Sequence, residues 1–177
     1  SLKDILKSET AQKVIDAVKE ATALKFEDLQ GTWQYKGAAC QFKSEELLQK
    51  AGGIALGETM EGKLEKDYEK AGIRTGNFSY TFNHDSTFTC QIGKKELKGT
   101  YAYDSSNQIL TLSYFGLLNT EVQLSGKKDG TTFLFNADRL LKLVTLLSGY
   151  SKSSTLSAVN KGAQQYDGMM LGFDLQK

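Results

Sequence analysis

The strongest constraint is a rhythm between residues 78 and 135, where short alternating stretches of apolar and polar residues are broken by turn signals. Phe78, Tyr80 and Phe82 share one face of an extended chain, because successive side chains in a strand point to opposite sides. Asn83, Asp85 and Ser86 then supply turn chemistry. Phe88, Cys90 and Ile92 form the next inward face, and residues 93–96 turn again. Leu97, Gly99, Tyr101 and Tyr103 follow, then a turn over 104–107, then Leu110, Leu112 and Tyr114. Val122 and Leu124, a turn ending at Gly130, and Phe133 with Phe135 complete the run. Turns spaced about 8–12 residues apart are what an antiparallel meander produces.

The flanks add helices and two more strands. The first 25 residues read as helix, with Leu2, Ile5 and Leu6 on one face and Val14, Ile15, Val18 and Ala21 continuing at helical spacing. After a link over 25–30, residues 31–42 alternate as a strand carrying Trp33 and Tyr35 on one face. Ser44 caps a helix over 44–51, and a second helix is predicted over 58–71 beyond the glycine-rich stretch 52–57. Asp138 is the predicted cap of a hydrophobic helix over 139–147 that ends near Gly149. A helix over 153–165 and a last strand over 169–175 follow. The total is about eight strands, which can close into a barrel and so remove the raw edges of an open sheet.

Composition narrows the chemistry. The 177 residues suit one domain, with residues 1–25 as a helical segment packed on a barrel domain over 26–177. That domain carries a helical insertion at 44–72 and helices over 138–166, before the last strand. There is no proline, so glycine makes the turns and proline-rich linkers are excluded. A net charge of +1 gives no field for nucleic acid. No segment approaches the ~20 apolar residues of a transmembrane helix. Ser1 at the start is what a form trimmed of its targeting segment would show. The single histidine, His84, excludes sites needing two or three imidazoles, and no metal cluster or cofactor is expected.

Several motifs have plain explanations. GETMEGKL at 57–64 matches a phosphate-binding loop until Leu64 stands where a hydroxyl is required, and two glutamates occupy the phosphate position. His84, Asp85 and Ser86 are adjacent in a hairpin and cannot converge as a triad. Glu45 and Glu46 read as helix-start charges. No catalytic residue is expected, and the chain reads as a non-enzyme. Cys40 and Cys90 leave two alternatives, a disulfide in an oxidising compartment or two buried thiols. The helix with Leu140, Leu141, Leu143, Val144, Leu146 and Leu147 is apolar nearly all round, so it is buried or faces a partner.

The inward aromatic set is Tyr35, Phe78, Tyr80, Phe82, Phe88, Tyr101, Tyr103, Tyr114, Phe133, Phe135 and Phe173. Two readings stand. One is a wall around a small apolar ligand, with tyrosine hydroxyls orienting its polar end. The other is a barrel filled by its own side chains, which eight strands permit.

A helix leading to Gly31, Thr32 and Trp33 on a first strand, followed by a meander, resembles the lipocalin (calycin) pattern. The stretches GTWQYKGAAC at 31–40, FNHDSTFTC at 82–90 and GTYAY at 99–103 resemble lipocalin-like secreted proteins of Bacteroidetes. The resemblance implies a mainly β, eight-stranded antiparallel lipocalin-like barrel with Trp33 closing one end. It also implies an extracytoplasmic setting, in the periplasm, cell envelope or outside the cell. By analogy with fatty-acid-binding proteins, the insertion at 44–72 would cover a portal. The expected function is non-enzymatic binding of a small hydrophobic or amphipathic ligand in the barrel. The alternative is a filled-barrel envelope module that binds another protein. On the first view a bulky residue at Gly99 blocks uptake without unfolding the chain.

Overall fold

In the computed structural model, eight strands hydrogen-bond in sequence order and the last closes on the first. The structure describes residues 24–42, 54–126, 129–148 and 169–177. The strands are β1 (Gly31–Phe42), β2 (Phe78–Phe82), β3 (Thr87–Ile92), β4 (Lys95–Asp104), β5 (Ile109–Ser113), β6 (Asn119–Gly126), β7 (Gly130–Phe135) and β8 (Met169–Gln176). The helices are α1 (Phe26–Leu29), α2 (Ile54–Lys70) and α3 (Ala137–Ser148). Every neighbouring pair of strands is antiparallel. The predicted barrel and meander are therefore present. The helices expected over 1–25, 44–51 and 153–165 fall outside the described residues, apart from Leu24 and Lys25, the latter extended.

Alternation decides which way each strand faces. In β2, Phe78, Tyr80 and Phe82 are buried and the residues between them half-exposed. Phe88, Cys90 and Ile92 repeat this in β3, in register with Phe82, Tyr80 and Phe78. Two glycines allow the walls to come close. A Cβ at Gly99 would stand 2.0 Å from the carbonyl oxygen of Ser113, and one at Gly172 would stand 1.7 Å from that of Phe133. Gly99 therefore cannot take a bulky residue and keep the fold, which corrects the expectation drawn from sequence.

The two barrel ends differ. At one, α1 lies across the opening, and the indole N–H of Trp33 donates to the Leu29 carbonyl at 2.8 Å. The Lys177 ammonium sits 5.3 Å from the Trp33 ring centre and donates to the Asp28 carbonyl at 2.7 Å. Tyr103 donates to the Leu24 carbonyl and Tyr101 to that of Asn83, both at 2.7 Å. At the other end, α2 links β1 to β2 and α3 follows β7.

Two helix boundaries differ from expectation. α2 begins at Ile54 and runs through Gly57, earlier than the predicted start at 58. A glycine inside a helix costs about 1 kcal/mol, which the packing of Met60, Leu64 and Tyr68 outweighs. α3 is capped by Asn136, whose side-chain oxygen accepts the Asp138 amide at 2.9 Å, so Asp138 lies inside the first turn. Leu140, Leu143, Val144 and Leu147 of α3 are buried, as spacing at i, i+3, i+4 and i+7 predicts, and Leu141 and Leu146 are half-buried.

Candidate functional site

The aromatic residues expected to line a ligand cavity lie in contact with one another. Tyr35, Phe78, Phe82, Phe88, Phe133 and Phe135 are buried, and Tyr80, Tyr101, Tyr114 and Phe173 with them. Tyr103 is half-buried at the α1 end. Phe173 stands 5.0 Å from Phe78, 5.1 Å from Tyr68 and 5.6 Å from Phe135, ring centre to ring centre. Tyr80 lies 5.5 Å from Phe78 and 5.6 Å from Phe133. Such separations are those of rings in van der Waals contact.

The hydroxyls are largely committed within the protein. Tyr80 and Tyr114 bond to each other at 2.7 Å, Tyr68 donates to the Gly172 carbonyl at 3.0 Å, and Tyr101 and Tyr103 tie the α1 end. Burial pushes the phenol pKa of Tyr80 and of Tyr114 well above the usual value, so both stay protonated.

Cys40 and Cys90 are free thiols. Cys90 pairs with Tyr80, which pairs with Trp33, whereas Cys40 pairs with Leu171 a further ~23 Å along β1 at about 3.3 Å per residue. A disulfide needs Cα atoms within roughly 7 Å, so the register separates the two. Burial, then the nearby Glu61 carboxylate, push the Cys40 thiol up to about 11, and burial raises Cys90 further. Neither is an activated nucleophile. His84 contacts Gln30 and lies against Phe26, and Asp85 accepts from the Thr87 amide as turn chemistry requires. Among the described residues, no group of three metal-ligating side chains converges.

Helix α2 closes a defect in the barrel. β1 pairs with β2 only from Gly31 to Gln34, and its remaining length pairs with β8 alone. On the free edge the Ala38 amide donates to Glu65 at 3.3 Å and the Cys40 amide to Glu61 at 3.2 Å. Glutamates one helical turn apart rise ~6 Å, close to the ~6.6 Å between alternate residues of a strand. A helix thus satisfies a sheet edge through its carboxylates. Tyr68 enters the mouth against Tyr35 and Phe173. On the same buried stripe as Met60 and Leu64 lies Asp67, 1% exposed, and neither of its carboxylate oxygens has a hydrogen-bond partner. A buried polar group left unpaired costs about 1–3 kcal/mol, more when charged. Sequence reading missed Asp67, although an acid on the stripe Met60, Leu64, Tyr68 was a visible irregularity.

A second feature lies on the outer wall. Thr111, Asn119 and Glu121 of β5 and β6 face Asp138, Arg139 and Lys142 of α3 across an open groove of about 530 Å³. That volume lies within the range of small-molecule sites, and two acids balance two bases. The adjoining hairpin tip carries Phe115 and Leu117, the large hydrophobic side chains left exposed among the described residues. Phe115 has φ of 41°, the left-handed region that bulky residues avoid. Neither groove nor tip was expected, because each joins residues from separate segments or sits in a turn.

A closed eight-stranded barrel capped by a short helix under a Gly-x-Trp strand defines the lipocalin-like class. The model of the lipocalin-like domain family DUF4923 matches residues 2–177, and the chain belongs to that family. Among solved structures, a DUF4847 family protein from Bacteroides vulgatus is similar at 18% identity, covering 63% of this chain and 88% of that one, with a TM-score of 0.40. No curated protein matches. Among the described residues no helix is long and apolar enough to cross a membrane.

Proposed function

We propose that this protein is a non-enzymatic binding module of the cell envelope, with its recognition surface on the outer groove and the neighbouring hairpin tip. On this reading the barrel is a rigid, self-filled scaffold. One observation carries it: the interior rings touch one another and their hydroxyls bond within the protein, as in Tyr80 and Tyr114 at 2.7 Å. The exposed Phe115 and Leu117 beside a groove of balanced charge favour contact with another protein. The envelope setting follows from the resemblance to secreted lipocalin-like proteins.

Native mass spectrometry with organic extraction tests the reading. A bare 19.5 kDa mass, together with no uptake of fluorescent apolar probes, supports a filled scaffold. A stoichiometric lipid released from the barrel refutes it. A second reading, a small amphipathic ligand held at the mouth beneath α2, is favoured by Asp67, whose buried carboxylate has no partner in the protein.

A further inference from the structure

We propose that the seam between α2 and the barrel mouth is a binding site for a cationic amphiphile, with Asp67 as counter-ion to its ammonium head. The inference rests on the second reading above and names the head group that reading leaves open. Three observations converge. Asp67 is buried on the barrel-facing stripe of α2 and neither oxygen is hydrogen-bonded. The lysines of the same helix, Lys63, Lys66 and Lys70, are exposed, and although Lys63 and Lys70 lie one turn from Asp67 neither hydrogen-bonds its carboxylate. The helix covers the stretch where β1 and β2 stop pairing, and the bonds that tie it there include two from β1 amides to glutamates and one from Tyr68.

A buried carboxylate without a partner favours whatever brings it one. Among the described residues no group of three metal-ligating side chains gathers here, and the partner proposed is an organic cation. A protonated amine supplies N–H donors to a carboxylate, and such charge-assisted bonds are the strong ones. The surroundings suit an apolar tail. Met60 and Leu64 lie on the same stripe, and the rings of Tyr35, Tyr68 and Phe173 stand at the mouth. Protein that keeps an unpaired buried acid sacrifices stability there, which is what a ligand site does.

Dodecylamine, dodecanol and dodecanoate, titrated separately into the whole protein at pH 7 and below their aggregation limits, test this by calorimetry. The expected result is dodecylamine binding about tenfold or more tightly than either other probe. Asp67→Asn should bring the three within about twofold of one another, with a melting temperature no lower than that of the wild type. Asp67→Leu should melt higher and show the same loss of preference. Dodecanol and dodecanoate binding as well as the amine would leave the second reading standing and overturn the ammonium site. Binding of none of the three overturns both. A clearly lower melting temperature for both variants also overturns the site, since it would reveal a partner for Asp67 inside the protein.

Discussion

The phenol oxygens of Tyr80 and Tyr114 stand 2.7 Å apart, joining β2 to the residue that follows β5 across the interior of the barrel. These strands are not neighbours in the sheet, so the bond runs through the space a ligand would occupy. Removing one partner strands the other in an apolar setting. Tyr80→Phe should therefore cost about 1–3 kcal/mol, and the double variant with Tyr114→Phe should cost less than the sum of the two. Urea unfolding of the four proteins measures the coupling.

Close approach makes a harsher demand at Gly99 and Gly172. A methyl group at either would meet a backbone carbonyl oxygen at 2.0 Å or 1.7 Å. Gly99→Ala and Gly172→Ala should each destabilise by roughly 3 kcal/mol or more, since neither side can retreat without breaking strand pairing. Loss of soluble protein, or a large drop in the denaturation midpoint, is the expected outcome.

Alkaline pH should unfold the protein through its tyrosines. Burial, then Asp104 and Asp28, push Tyr103 up to about 12, against a reference of 10.0. The folded state holds this proton more tightly than the unfolded chain does. The stability it contributes is complete below the unfolded value and is lost as pH rises from about 10 to about 12. Tyrosinate absorbance and loss of circular dichroism should rise together in that window. Ionisation that runs ahead of unfolding would show that the phenols are open to solvent.

The hairpin tip gives a prediction of opposite sign. Phe115 is 66% exposed and holds φ of 41°, a conformation that costs a non-glycine residue about 1–2 kcal/mol. Phe115→Gly should raise stability by up to about 1 kcal/mol while weakening any partner that docks at the groove. Thermal melting and cross-linking, each run on Phe115→Gly beside the wild type, separate the two effects.

Much of the fold was legible because a two-residue period leaves few choices. β2 and β3 appear within a residue of where the alternation of Phe78, Tyr80, Phe82 and then Phe88, Cys90, Ile92 put them. Helix starts were less legible. Gly57 looks like a breaker, yet contacts made by Met60 and Leu64 carry α2 past it. Asn136 and Asp138 are both good caps, and only the geometry selects the first. Whether the rings line a cavity or fill it depends on volumes meeting from non-adjacent strands, as in Tyr80 and Phe133. Alternation along a strand carries no information about that. The groove beside α3 was hidden for the same reason, since Glu121 and Lys142 come to line one groove only once the helix has folded back along the wall.

The pairing of β8 with β1 has a consequence for biosynthesis. β1 leaves the ribosome before the other barrel strands and β8 after them, yet β8 supplies the neighbour for most of β1 and for β7. Until it arrives, the nascent chain is a curved sheet with two open borders, each a template for misdirected pairing. Lys177, resting over Trp33 from the far end of β8, then fastens the clasp. A chain of this design closes its barrel only when β8 is delivered, and profits from a chaperone that shields both borders until then.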